Sequence, residues 1–263
     1  MKQLLLYISF VLIMPWINIS IAQTGKGEYK YSVISFPSLQ TMSTSFYVNE
    51  TGQVFLPLNG GIYLPKDSVW FLPPSKEYSF TSFAPSLKDT SLFVFANTAD
   101  HTELYYLKST VGAAIKKYPM ATLEKGLYNI IYKNNTCYVW GYSSGISKIG
   151  ILLKDEIKWL MNIEGLIRQV QVNDSSEIFF AYKNSIYTLG NRQTVLTLDK
   201  TIYGFAFDKS NNLLLSCSDG IGIRNNDKLK IIATEVSGVM EYRNGSLFVL
   251  DRSRNTIVQI TYE

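Results

Sequence analysis

Residues 202–233, IYGFAFDKSNNLLLSCSDGIGIRNNDKLKIIA, confine the fold more than any other stretch of this chain. Four short apolar or alternating runs (202–207, 213–218, 221–224 and 228–233) are separated by the polar turns 208–212, Asp219-Gly220 and Asn225-Asn226-Asp227. Each run has β-branched residues between turn formers, and none reaches the roughly 10–12 residues of a helix, so each predicts a strand. The stretch encodes a four-stranded antiparallel sheet.

Imperfect copies of it fill most of the chain. A first copy reads as strands at 45–48, 54–58, 62–64 and 68–72, with Asn49-Glu50-Thr51-Gly52 and Asn59-Gly60-Gly61 as turns. Pro57 and Pro65 make it irregular, because proline removes a ladder donor. The second copy is the weakest, at 81–84, 91–95, 103–107 and about 113–118, where a short helix over 111–117 competes with the last strand. The third reads 128–132, 137–140, 146–153 and 157–161; the fourth reads 167–172, 177–181, 185–189 and 194–198. The fifth is the stretch above. The sixth has only three strands, 239–242, 246–250 and 256–261, before the chain ends. An isolated strand at 31–36 (YSVISF) is free to supply the fourth, which would close a ring and protect its edges. Six sheets at a repeat of roughly 33–45 residues predict an all-β, six-bladed β-propeller of four-stranded antiparallel blades, with five or seven blades as alternatives.

The copies VNETGQVFLPLNGGIYL, FDKSNNLLLSCSDGIGI and YRNGSLFVLDRSRNTIVQI resemble the repeats of exported bacterial β-propeller proteins, of the NHL-like and two-component-regulator-propeller-like kinds. The resemblance covers most of the chain after the leader, and its motifs are turn signals. It implies a fold and carries no activity with it. No aromatic-Asp pair of the WD type ends the third strands, and no sialidase-type box appears.

The N-terminus is read as a secretory signal peptide over residues 1–22: Lys2 as the positive end, an apolar core over 4–14, Pro15 as a break, and Ser20-Ile21-Ala22 as the cleavage site before Gln23. An uncleaved anchor is the competing reading. Residues 23–263 then form one propeller domain, exported to the periplasm or the extracellular medium, with no stable membrane insertion once the leader is gone. The formal net charge of +4 is small and its lysines and arginines are scattered, which argues against nucleic acid as a partner. Cys137 and Cys217 fall in different copies and read as two separate buried thiols.

Motifs that could carry chemistry do not add up to a catalytic set. Gly141-Tyr142-Ser143-Ser144-Gly145 matches G-x-S-x-G, but a strand follows it where a nucleophile elbow needs a helix, and no histidine lies beyond His101. His101 sits in the polar run Asp100-His101-Thr102-Glu103, whose adjacent residues rarely converge on one ion. Asp155-Glu156 and Asp174 with Glu177 are turn residues, Gly220-Ile221-Gly222 lacks the rest of a dinucleotide loop, and Trp70, Trp140 and Trp159 read as sheet packing. No catalytic residue, metal site or cofactor is expected. The expected function is an exported, non-catalytic binding module that recognises a protein or a glycan at its loop face; the alternative is a propeller lyase or hydrolase with an axial metal. Loops between blades and between second and third strands share one face of a propeller. They nominate Tyr78, His101, Tyr142, Arg168, Lys183, Tyr203, Asp219 and Arg252 as ligand-contacting residues. Specificity is expected in the irregular loops 96–103 and 141–145.

Overall fold

The computed structural model describes residues 29–37, 45–85, 91–108, 115–225 and 228–262. The expected leader and its cleavage site lie outside them. The described residues contain twenty-five strands and no helix. β1 (Tyr29–Ser35) precedes blade 1, which comprises β2 (Tyr47–Val48), β3 (Val54–Leu58), β4 (Gly61–Leu64) and β5 (Val69–Leu72). Blade 2 has β6 (Ser79–Pro85), β7 (Ser91–Asn97), β8 (His101–Lys108), β9 (Ile115–Lys117) and β10 (Leu123–Glu124). Blade 3 follows with β11 (Leu127–Lys133), β12 (Thr136–Ser143), β13 (Ile146–Leu152) and β14 (Ile157–Glu164). Blade 4 has β15 (Ile167–Val172), β16 (Ile178–Tyr182), β17 (Ser185–Thr188) and β18 (Thr194–Thr197). Blade 5 has β19 (Gly204–Phe207), β20 (Leu213–Cys217), β21 (Gly220–Asn225) and β22 (Lys228–Ala233). Blade 6 consists of β23 (Val239–Arg243), β24 (Ser246–Asp251) and β25 (Thr256–Tyr262), completed by β1.

The six-bladed reading and its closure are therefore observed. β1 pairs antiparallel with β25 from Tyr29↔Tyr262 to Ser35↔Thr256. The Tyr31 hydroxyl donates to the Ile232 carbonyl and so also ties β1 to blade 5. Blade 2 departs from the expected four strands, because β9 and β10 share the outer edge of β8 at different positions. The competing helix over 111–117 is replaced by strand at Ile115–Lys117, while residues 109–114 lie outside the described part. In blade 1, Pro57 has no N–H to give, and β2 pairs with β3 at only two positions.

Second strands such as β7 (SLFVFAN) and β24 (SLFVLD) read as continuous apolar runs because both of their faces are covered. Alternate residues enter opposite blade interfaces: Leu92 and Val94 pack toward blade 1, Phe93 and Phe95 toward blade 3. Every blade-to-blade interface holds one apolar cluster of this kind, including the one between blades 6 and 1 built on Phe46, Val48, Phe248 and Leu250. Cys137 and Cys217 belong to blades 3 and 5; both are buried and unbridged. Burial pushes the Cys137 thiol up to about 12.

Tight turns explain much of the polar content between strands. Asn59-Gly60, Asn134-Asn135, Ser144-Gly145 and Asn244-Gly245 all have positive φ at both positions, as two-residue hairpins with the right-handed strand twist require. The inner edges of the blades face the axis without a strand partner, and side chains take the place of the missing ladder. The Ser45 hydroxyl donates to Thr81 O at 2.9 Å, the Thr81 hydroxyl to Tyr128 O at 2.9 Å, and Ile130 N–H to the Ser82 hydroxyl at 2.9 Å. Gln169, 3% exposed on β15, accepts from Phe205 N–H at 3.1 Å and Met240 N–H at 3.3 Å, and its amide donates to Met240 O at 2.6 Å. One side chain of blade 4 thus fastens the inner strands of blades 5 and 6.

Candidate functional site

The inner strands enclose an axial cavity of about 280 Å³. Its wall includes the C-terminal ends of β6, β11 and β23 (Pro85, Lys133 and Arg243) and residues just beyond β15 and β19 (Asp174, Asp208 and Lys209). It therefore opens on the face that carries the hairpins between first and second strands. Phe46, Tyr47, Tyr132, Trp140 and Phe207 supply aromatic surface.

Charge inside the cavity centres on β23. Glu241 keeps 20% of its side chain open to the cavity, accepts from Val48 N–H at 3.1 Å, and lies 3.5 Å from Arg243 Nη2. Enclosure by the ring raises its carboxyl to about 7, a rise that Arg243 and the Val48 N–H moderate without reversing. Tyr47, on the neighbouring blade, is pushed up to about 12 by burial, so its hydroxyl keeps its proton at neutral pH. Arg243 Nε–H and Trp140 Nε1–H are buried without a hydrogen-bond partner among the described residues. At the rim Lys133 pairs with Asp174 at 2.5 Å. Asp208 accepts from the N–H groups of Ser210 and Asn212, both at 2.8 Å, within its own turn.

None of the eight residues nominated from the sequence lines this cavity. Three of them meet elsewhere. Arg168 is the extra residue of a bulge between Ile167 and Gln169, and its guanidinium lies 5.7 Å from the centre of the Tyr203 ring. Half-buried Arg252, on the β24–β25 loop, has its pKa lowered by burial and then by the positive charge of Arg168. Neither guanidinium has a carboxylate partner among the described residues.

Tyr78 and His101 are joined through a network on blade 2. Tyr78 meets Tyr105 edge-on at 5.3 Å, Tyr105 donates to Glu103, and His101 bridges Asp100 at 2.7 Å and Glu103 at 2.9 Å, with Lys117 on the same carboxylate. Both carboxylates raise the His101 pKa, Glu103 the more strongly. Burial alone would raise Glu103, but Lys117, Tyr105 and His101 reverse this and hold it at about 2. Of the remaining three, Lys183 lies over the Tyr182 ring and Tyr142 opposite Leu127 and Ser147 in the ladder, each within its own blade, while Asp219 pairs with Lys200 on the connection from blade 4 to blade 5.

The loops expected to carry specificity are short hairpins. Residues 141–143 belong to β12, and Ser144-Gly145 alone forms the turn. Ser143 and Ser144 both donate to Glu124, and a methyl on Gly141 would overlap the Tyr128 ring. Those contacts account for the G-x-S-x-G spelling structurally. Sequence reasoning did not single out Tyr47, Glu241 or Arg243. The available signal was VMEYR in β23, where Glu241 and Arg243 stand two apart on one face of a strand that opens its copy.

No family model matches the sequence, and no curated protein matches it. Solved structures do resemble it. One is an extracellular domain assigned to a one-component system of B. thetaiotaomicron, at 12% identity and a TM-score of 0.51 over 82% of this chain. This chain spans only 32% of that one. Another is the Cps50 (Swd1) β-propeller domain of Myceliophteria thermophila, at 12% identity and a TM-score of 0.52, covering 86% of this chain and 98% of that one. A third is the PQQ-bound aldose sugar dehydrogenase of Streptomyces coelicolor, at 11% identity and a TM-score of 0.55, covering 89% and 99%. An extracellular domain, a β-propeller domain and a dehydrogenase stand side by side at this level of similarity. What the chain shares with all three is the β-propeller fold.

Proposed function

We propose that this chain is an exported binding module that recognises a protein or a glycan on the face of the ring carrying Arg168, Tyr203 and Arg252. The observation that supports it is the convergence of two guanidinium groups and an aromatic ring from three blades, without a carboxylate partner for either guanidinium among the described residues. Arginine and tyrosine are the residues on which recognition surfaces concentrate their energy. A propeller enzyme with an axial metal would need ligands gathered at the axis. Among the described residues no three His, Cys, Asp or Glu side chains are grouped so as to hold an ion. No helix among them is long and apolar enough to cross a membrane, which fits an exported chain.

The test is a glycan array together with pull-down from the native envelope or medium, using the wild type and an Arg168→Gln/Arg252→Gln variant of equal thermal stability. A specific ligand captured by the wild type and lost by the variant is expected. Equal capture by both proteins overturns the proposed face. No specific ligand, with a stoichiometric divalent ion by elemental analysis, turns the reading to the axial-metal enzyme.

A further inference from the structure

The axial cavity opens on the opposite face and has its own chemistry. At about 280 Å³ it lies just below the roughly 300–1,000 Å³ usual for ligand sites, which suits one ring and not an extended chain. Tyr47, Tyr132, Trp140 and Phe207 offer flat apolar surface for such a ring. Its charges are unevenly matched. Lys133 is neutralised by Asp174, and Asp208 is occupied by its own turn. Arg243 has only a long contact to Glu241 and a buried Nε–H with no partner among the described residues. Exposed Lys209 stands at the mouth. A guanidinium so placed presents a planar fork matched to a carboxylate.

We infer that this cavity binds a single-ring carboxylate of hexuronic-acid size, free or at the end of a glycan, with its carboxylate held by Arg243 and hydrogen-bonded by the carboxyl of Glu241. Two carboxyl groups sharing one guanidinium cannot both be ionised without repulsion, so Glu241 must carry a proton when the ligand is bound. The groups facing Glu241 allow this. Arg243 lies on its own strand, Tyr47 and the Val48 N–H on β2, Asp208 and Lys209 beyond β19, and the paired Lys133 and Asp174 at the end of β11 and beyond β15. Of these groups, Glu241 titrates near 7 while Tyr47 stays protonated. Between pH 6 and pH 8 the protonated share of a group titrating near 7 falls about tenfold, and affinity for the carboxylate falls with it.

The experiment is titration calorimetry of the full mature chain with D-glucuronate and D-galacturonate at pH 6 and pH 8, with glucose and galactose as neutral controls. A short oligogalacturonide distinguishes a glycan end from the free acid. One or both uronates should bind at least tenfold better than the neutral sugars, and about tenfold more tightly at pH 6 than at pH 8. Glu241→Gln should keep the binding and flatten its pH dependence. Arg243→Gln should lose at least tenfold in affinity, and Arg243→Lys should fall between, which separates loss of the anchor from loss of folding. The inference is overturned if neither uronate binds at pH 6, if neutral sugars bind equally, if Arg243→Gln binds as the wild type does, or if Glu241→Gln retains the pH slope. Failure of uronate binding at pH 6 alongside capture of a ligand through Arg168 and Arg252 leaves the proposed function standing and removes this inference alone.

Discussion

Replacing Gln169 by leucine tests the idea that side chains substitute for a missing strand along the axis. The change shortens the side chain by one atom and removes an acceptor that takes two backbone N–H groups, of Phe205 and Met240, in a position only 3% exposed. The Met240 carbonyl is less affected, because Gln171 Nε2 also donates to it at 3.2 Å. Two orphaned N–H groups at about 1–3 kcal/mol each give a loss of about 2–6 kcal/mol. The extra apolar burial of leucine returns about 1–2 kcal/mol, and water entering from the cavity recovers part of the rest. The net expected loss is about 1–3 kcal/mol, in the lower half of the range of about 0–5 kcal/mol that remains, measured as a lower midpoint in urea unfolding with an unchanged m-value. Gln171→Leu is the internal control. It removes one donor from a carbonyl that Gln169 still serves at 2.6 Å, so it should cost under about 1 kcal/mol. A Gln169→Leu protein within about 0.5 kcal/mol of the wild type, or a Gln171→Leu protein equally destabilised, would refute the reasoning.

Gly141→Ala should lower stability by about 1–3 kcal/mol, because its methyl enters the space of the Tyr128 ring; Tyr128→Leu in the same background should recover part of this in a double-mutant cycle. Glu103 is a depressed carboxylate, so its contribution is present above its usual range near 4.5 and is lost as pH falls toward about 2. The wild type should therefore lose more melting temperature between pH 5 and pH 2.5 than Glu103→Gln, and parallel curves would count against the network. Removing residues up to Phe36 strips β25 of its partner and exposes an edge that takes part in seven register pairs, so the truncated chain should melt lower and self-associate in light scattering. A truncated chain that stays monomeric at the wild-type melting temperature would show that β1 does not close the ring.

Much of this architecture was legible in the residues because a propeller repeats one local grammar. Runs such as SLFVF and SLFVL have the length of strands, and Asn-Gly pairs have the φ values of tight hairpins, so both are fixed within a few positions of chain. The three-stranded sixth copy likewise demanded a partner, and residues 29–35 supply it. The split outer strand of blade 2 was not legible. Which of β9 or β10 covers β8 depends on contacts such as Lys117 to Glu103 and Gly126 N–H to Thr102 Oγ1, which join residues 14 and 24 positions apart.

The candidate sites divide in the same way. Arg168, Tyr203 and Arg252 could be named from their loops, but a bulge and the packing of three blades bring them together. The Glu241–Arg243 cavity depends still more on closure, since β23 alone is an amphipathic strand with two charges on one face. Sequence by itself determined the strands, their turns and the count of blades, because these follow from periodicity and local backbone preference. Only the closed ring decided which charges face one another, because removing them from bulk water and setting them across an axis is the work of residues more than 190 positions apart, such as Val48 and Glu241.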